Sequence, residues 1–394
     1  MPGIKDKVAI IGMGCSKFGE RWDSSHVDLA VEAAQEAYSD AGVEPKDIQS
    51  VWFGTLFSGF AGPTLSHALK TQYIPVTRIE NFCATGIDVL RNACFSVVAG
   101  AYELVLAIGV EKLKDGGYTG LPISSLDPDD TPKAFPQTAP PAMFAVYATR
   151  YFHDYGLSYE QGKHVLAKIA VKNHKHGTMS PKAHFQREIT IEQAMNAPMI
   201  AWPLGLFDCC GVSDGAAAAI VTTPEIAKKR GKDYITIKGF GISCGPKEHI
   251  LRQGYDWVHW EESVRAAKQA YDEAGVKDPR KEISIAQVHD CFTSTELITM
   301  EDLGLSKRGE GWKDEEADFF TLEKGGLPVN TDGGLKCFGH PIGATGLRMT
   351  YENYKQLIGK AEKRQVKDMK LGLAHNLGGA AGANVIGVAI VGRP

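Results

Sequence analysis

The chain has no long apolar run, no cysteine pair spaced for metal or redox work, and no excess of positive charge. Each absence excludes a class. No stretch approaches the roughly 18 apolar residues that a bilayer crossing needs, so a membrane span is not expected. A formal net charge of −4 removes the electrostatic basis for holding nucleic acid. The eight cysteines, at 15, 83, 94, 209, 210, 244, 291 and 337, include no Cys-x-x-Cys, which argues against a zinc ribbon or a dithiol redox centre. The opening MPGIKDKVAIIGMG lacks a secretory pattern and the closing VGRP lacks a peroxisomal Ser-Lys-Leu. A cytoplasmic chain with reduced thiols is therefore expected.

What is present fits a soluble enzyme: 43% hydrophobic and 23% charged residues over 394 positions, enough for two domains. The informative feature is an internal repeat. Residues 31–43 read VEAAQEAYSDAGV and residues 264–276 read VRAAKQAYDEAGV, agreeing at eight of thirteen positions. Both predict a helix closed by glycine, Gly42 in one and Gly275 in the other. VAIIGMG (8–14) and ITIKGFG (235–241) precede them as strands, while SVWFGT (50–55) and SIAQVHDC (284–291) follow. Ala84-Thr85-Gly86 and Ala344-Thr345-Gly346 each open a further helix, and LVLAIGV (104–110) and LGLAHNLGG (371–379) read as late strands. Four matching elements in one order imply a duplicated α/β architecture with helical crossovers.

The repeat places an N-terminal half at 1–114 and 206–230 and a C-terminal half at 231–394. Residues 115–205 interrupt it and read as an inserted region covering the substrate site, since long insertions in compact domains are often functional. Aromatic residues there (Phe135, Phe144, Tyr147, Tyr151, Phe152) either line an acyl site or pack the insert, and packing is the expectation. The basic stretch VKNHKHGTMSPKAHFQR carries His174, His176 and His184. It would either meet a phosphate or lie as a solvated loop.

Chemistry concentrates in four segments. Cys83 in ENFCATGIDVL stands before a helix, where the positive dipole end favours thiolate. His289-Asp290-Cys291-Phe292 ends a strand, the edge at which open α/β sheets bind ligands. His340 sits on the glycine-rich turn GHPIGATG (339–346). His375-Asn376-Leu377-Gly378-Gly379 follows the last strand of the repeat and offers backbone N–H groups from flexible glycines. Cys337, Cys209 and Cys210 are read as structural.

Together these segments resemble the thiolase superfamily across nearly the whole chain, with GHPIGATG as the most specific motif. The sequence is most similar to the sterol-carrier-protein-type thiolases, because HDCF stands where most thiolases have Asn-Glu-Ala-Phe. It departs from the usual late Cys-x-Gly, which here is Asn376-Leu377-Gly378.

The resemblance implies a five-layered α-β-α-β-α sandwich of two βαβαβαββ halves. It implies that Cys83 carries the acyl group, that His340 draws its proton and that Cys291 serves as the second, acid/base thiol. His289 and His340 would hold the enolate oxygen, and the N–H groups of Cys83 and Gly378 would form the oxyanion hole. Acyl-CoA and CoA are the implied substrates. No metal or redox cofactor is called for, the histidines falling far short of metal-ligand spacing along the chain. A homodimer or homotetramer is expected, with a small zinc-ribbon and OB-fold companion protein as a further partner of this subtype. The competing readings are a decarboxylating or hydroxymethylglutaryl-CoA-type condensing enzyme, an aldolase of the same fold, and a non-catalytic subunit.

Overall fold

The computed structural model describes residues 3–58, 61–116, 140–246, 255–380 and 382–394. Eleven strands are formed among them: β1 (Ala9–Cys15), β2 (Ser50–Gly54), β3 (Val76–Ile79), β4 (Leu104–Glu111), β5 (Met199–Ala201), β6 (Leu204–Gly205), β7 (Gly215–Thr222), β8 (Ile235–Cys244), β9 (Ile285–Gln287), β10 (Leu371–Ala380) and β11 (Ala383–Gly392). Nine of them run side by side in the order β3-β2-β4-β7-β1-β8-β11-β10-β9.

The duplication is visible in that order. Read outward from the centre, β1-β7-β4-β2 on one side corresponds to β8-β11-β10-β9 on the other, with antiparallel inner pairs and a parallel outer pair in each. The two series meet only where Ala9 and Ile10 face Thr236 and Ile235. The counterpart of β3 is reduced to an isolated parallel bridge between Ala286 and Val329.

The repeated helices form as their sequences require. His26–Ala41 is closed by Ser25 in a capping box with Asp28, and Gly42 ends it at φ 64°. Glu261–Ala274 ends on Gly275 at φ 82°. A left-handed residue at this position satisfies the last carbonyls, and glycine adopts it without a Cβ clash. Their alanine faces lie on β1 and β7 and on β8 and β11 respectively, as the outer layers.

Between the half-sheets lie the helices Thr85–Val98 and Ile342–Leu357, packed on one another. This completes the five layers. Strand β7, GAAAAIVT, is buried throughout; its alanines let Ile342–Leu357 approach on one side and His26–Ala41 on the other. The helix starts meet backbone to backbone: a Cβ at Gly346 would fall 2.4 Å from the Ile87 nitrogen, and one at Gly86 2.6 Å from that of Gly346. Ala-Thr-Gly of one half thus sits on Ala-Thr-Gly of the other, and the catalytic candidates lie at this junction.

The chain between β4 and β7 supplies the helices Pro140–Asp154, Tyr159–Thr178 and Ile191–Met195 and the small β5–β6 hairpin. Tyr159–Thr178 packs on Thr293–Asp302 and Gly334–Cys337 of the second half. Phe144, Tyr147, Tyr151 and Phe152 are buried as packing residues. Phe144 stacks on Phe292 at 4.8 Å between centroids, and Tyr151 donates to Glu301 at 2.6 Å. Phe135 lies outside the described residues.

The basic stretch is not the solvated loop that was one of its two expectations. It begins inside a helix, and His174 and His176 are buried. The His174 Nδ1 pairs with the Arg187 carbonyl at 2.8 Å and the His176 Nδ1 with that of Asn330 at 3.0 Å. Burial pushes both imidazoles down to about 4. Lys172 is buried on Glu296 and Glu315, Lys175 pairs with Glu323, and Lys182 with Glu36. These cations are neutralised from within the chain, which leaves little for a phosphate.

Candidate active site

Cys83 is held by a bent approach to its helix. Phe82 takes the left-handed φ of 48°, unusual for a side chain of this size and costing on the order of 1 kcal/mol. Thr85 secures the bend: its hydroxyl donates to the Phe82 carbonyl at 2.5 Å and accepts from the Asn81 N–H at 2.8 Å. The half-buried thiol points at His340, with Sγ 3.2 Å from Nε2.

The far side of the His340 ring fixes its tautomer. Nδ1 lies 2.8 Å from the Thr345 hydroxyl, which donates its one proton to the Pro341 carbonyl at 2.9 Å. Thr345 can therefore only accept from the ring, so Nδ1 carries the hydrogen and Nε2 presents a lone pair to the Cys83 thiol. Burial, reinforced by the Arg348 guanidinium, drives His340 down to about 3. Arg348 is itself buried and pairs with Asp332 at 2.7 Å.

His289 stands edge-on to His340, ring centroids 5.0 Å apart. Burial first, then the neighbouring His340, His375 and Arg348, keep it neutral, well below the ordinary range. Asn376 Nδ2 lies 3.5 Å from its Nδ1, at the outer limit of a hydrogen bond. The residue standing in place of the family's late cysteine thus faces the site. Its neighbour His375 points the opposite way along β10 and pairs with Ser263 at 3.0 Å, as strand alternation requires.

Cys291 is buried, its Sγ 3.6 Å from the Thr295 hydroxyl, and burial with the nearby Cys210 holds it as a thiol. The Cys210 N–H donates to the Cys291 carbonyl at 2.9 Å, which sets the two residues opposite one another. Gly378 lies against the nucleophile: a Cβ there would fall 2.5 Å from the Cys83 nitrogen and 2.7 Å from the Phe82 Cβ. Cys337 is buried away from these groups, against Gly177 and Gly333.

The dipole expectation for Cys83 needs correction. Burial first, with the neighbouring Cys210, Glu111 and Glu80 acting in the same direction, raises the thiol above its ordinary value. Desolvation outweighs the helix end, and the resting pair is a neutral thiol beside a neutral imidazole. Carbamidomethylation of Cys83 by iodoacetamide is accordingly expected to be slower at pH 7 than for free cysteine. Its rate should climb about tenfold per pH unit past pH 9; a plateau below pH 7 would instead reveal a preformed thiolate–imidazolium pair.

One positioning residue escaped the sequence reading. The buried carboxylate of Glu111, at the end of β4, accepts from the N–H groups of Leu56, Phe57 and Ser58 and from the hydroxyls of Thr55 and Ser58, all at 2.8–2.9 Å. It also accepts from the Gly343 N–H at 3.2 Å. Glu111 thereby ties the 55–58 loop to the turn that carries His340. Glu111→Gln replaces two acceptor oxygens by one and a clashing NH₂, so a loss of about 3 kcal/mol is expected. The denaturation midpoint should fall while the slope with denaturant stays unchanged.

A thiol–imidazole pair at the junction of two duplicated α/β halves is the arrangement that an acyl-transfer enzyme with a cysteine nucleophile requires. The family comparison agrees. Residues 8–225 match the thiolase N-terminal domain and residues 246–392 the thiolase C-terminal domain-like family; the chain belongs to the thiolase family. It is 36% identical to an acetyl-CoA acetyltransferase of Methanothermobacter thermautotrophicus over 96% of this chain and 98% of that protein. It is 32% identical to sterol carrier protein 2 of Oryctolagus cuniculus over 98% of this chain and 72% of that protein. Among solved structures it superposes on the Ltp2-ChsH2(DUF35) aldolase with a TM-score of 0.85 and 25% identity, covering 99% of this chain and 98% of the other. Among the described residues no helix is long and apolar enough to cross a membrane.

Proposed function

We propose that the protein is a thiolase-type acyl-CoA acyltransferase working through an acyl-Cys83 intermediate. The observation that carries this reading is the 3.2 Å approach of Cys83 Sγ to the lone-pair nitrogen of His340. His340 takes the thiol proton as Sγ bonds to the acyl carbon, and the same proton passes to the departing CoA sulfur. For carbon–carbon bond formation, Cys291 removes the α-proton of a second acyl-CoA while His289 holds the enolate oxygen; His340, expected to share that role, has its one N–H on Thr345 once the captured proton has left with CoA. The enolate carbon then bonds to the acyl carbon, and the acyl–Sγ bond breaks. Cleavage of a 3-oxoacyl-CoA reverses these steps, with CoA receiving the shortened acyl group.

Burial favours the protonated form of Cys291, the form that protonates a departing acetyl-CoA enolate. The relatives named acetyl-CoA acetyltransferase support acetoacetyl-CoA as the substrate to try first. The likeness to an aldolase described together with a DUF35 chain supports a companion subunit as a second partner beside a further copy of this chain. The nucleophilic geometry at Cys83 weighs against lyase chemistry, which needs no acyl-cysteine.

Intact-protein mass spectrometry after brief mixing with acetoacetyl-CoA tests the reading. An acetyl-sized gain on Cys83, discharged as acetyl-CoA when CoA is added, supports it. An adduct that CoA cannot discharge points to a condensing enzyme, and an adduct only with a bulkier 3-oxoacyl-CoA moves the substrate. Failure of every acyl thioester to label Cys83 overturns it.

A further inference from the structure

The proximity of Cys83, His289 and His340 has no counterpart in their spacing along the chain: each places a ligand atom within 4.8 Å of the other two. One thiol and two imidazoles are the donors that thiophilic divalent cations prefer. A tetrahedral zinc ion, with bonds of roughly 2.3 Å to sulfur and 2.0–2.1 Å to nitrogen, sets its ligands about 3.4–3.6 Å apart. His340 and Cys83, at 3.2 Å, lie a few tenths of an ångström inside that spacing. A contraction of about an ångström in the remaining separation closes the set.

The surroundings suit a cation. The Nδ1–H of His340 is anchored on Thr345, which leaves Nε2 free to bind. An outer hydrogen bond of this kind orients ligating histidines in metal sites. The carboxyl groups acting on Cys83 are those of Glu111 and Glu80. The buried Arg348 opposes a cation, but Asp332 accepts from it through both oxygens, at 2.9 and 2.7 Å.

We propose that Cys83, His289 and His340 form an inhibitory site for a thiophilic divalent cation such as zinc. The Cys83 S–H bond breaks as the metal–sulfur bond forms, and the proton leaves to solvent; the two imidazoles give lone pairs and water fills the fourth position. Occupancy removes the nucleophile and its base together, so the cation competes with any acyl thioester. The site itself rests on the geometry of the three side chains; that its occupancy inhibits rests on the acyltransferase reading.

Cobalt(II) titration of the chelator-treated full-length protein tests it without reference to activity. The expected result is a near-ultraviolet thiolate-to-cobalt absorption saturating at one equivalent and erased by added zinc. It should vanish in Cys83→Ala and require at least tenfold more cobalt in His289→Ala. Cys291→Ser, which leaves the three ligands in place, should retain it and so controls for folding. Absence of the band in the wild-type protein overturns the proposal, as does a band that survives Cys83→Ala or disappears only in Cys291→Ser.

Discussion

Cys83→Ala is expected to lower acyl transfer by at least about 10⁴-fold, with no acyl adduct under any thioester. The size follows from what is removed. Among the described residues the Cys83 thiol is the sulfur that His340 Nε2 reaches, at 3.2 Å, and loss of a covalent nucleophile cannot be made good by the groups around it. The stability should change little. Cys83 is half-buried, and alanine leaves the Thr85 hydroxyl bonds that hold the Phe82 bend untouched. A change below about 1.5 kcal/mol in denaturant unfolding, together with the lost adduct, would assign the effect to chemistry. Retained turnover in this variant would remove the acyl-cysteine from the mechanism. Loss of adduct with a collapse in stability would leave the thiol's chemical role undecided, and Cys83→Ser would then separate the two, because its hydroxyl preserves the shape and is far less nucleophilic.

The duplicated fold was legible because its signals are local and repeated. The alanine-rich helices ending at Gly42 and Gly275 need a left-handed residue at one position each, and both take it. The Cys83 and His340 pair was legible for a similar reason, each residue lying beside an Ala-Thr-Gly helix start that packs on its twin. What escaped depended on partners distant in the chain. Glu111 opens the polar string EKLKDG and reads as the edge of a solvated loop, yet six donors from elsewhere converge on it. His174 and His176 read as exposed because lysines flank them. In the fold both are buried, and Lys172, which acts on His176, is itself buried against Glu296, a residue of the second half. Cys210 gave no signal at all, since only the pairing of its backbone with Cys291 brings it to the site. Spacing misled on Cys83, His289 and His340, whose convergence is a property of the two halves meeting.

Cys291→Ala is expected to separate the two half-reactions. Acylation of Cys83 by acetyl-CoA needs only Cys83, His340 and an oxyanion site, so it should remain within a few-fold of the wild type. Making or breaking the carbon–carbon bond needs a proton donor or acceptor at the α-carbon, and should fall by about 10³-fold. The structure bears on why no neighbour substitutes. His289 and His340 are held neutral by burial, so neither stands ready as an acid. Cys210 lies opposite Cys291, but burial raises its own thiol to about 12. The sign of the pH dependence follows from the same group. Burial raises the Cys291 thiol above its ordinary value, so its charged, proton-abstracting form gains population only as pH rises, and the initial rate of condensation should rise with it. Rapid-quench measurement of acetyl-Cys83 formation beside steady-state acetoacetyl-CoA cleavage reads both halves at once. Equal loss in the two would move Cys291 from proton transfer to a structural role. Equal retention would leave the α-proton to another group, for which His289, 5.0 Å from His340 between ring centres, is the next candidate.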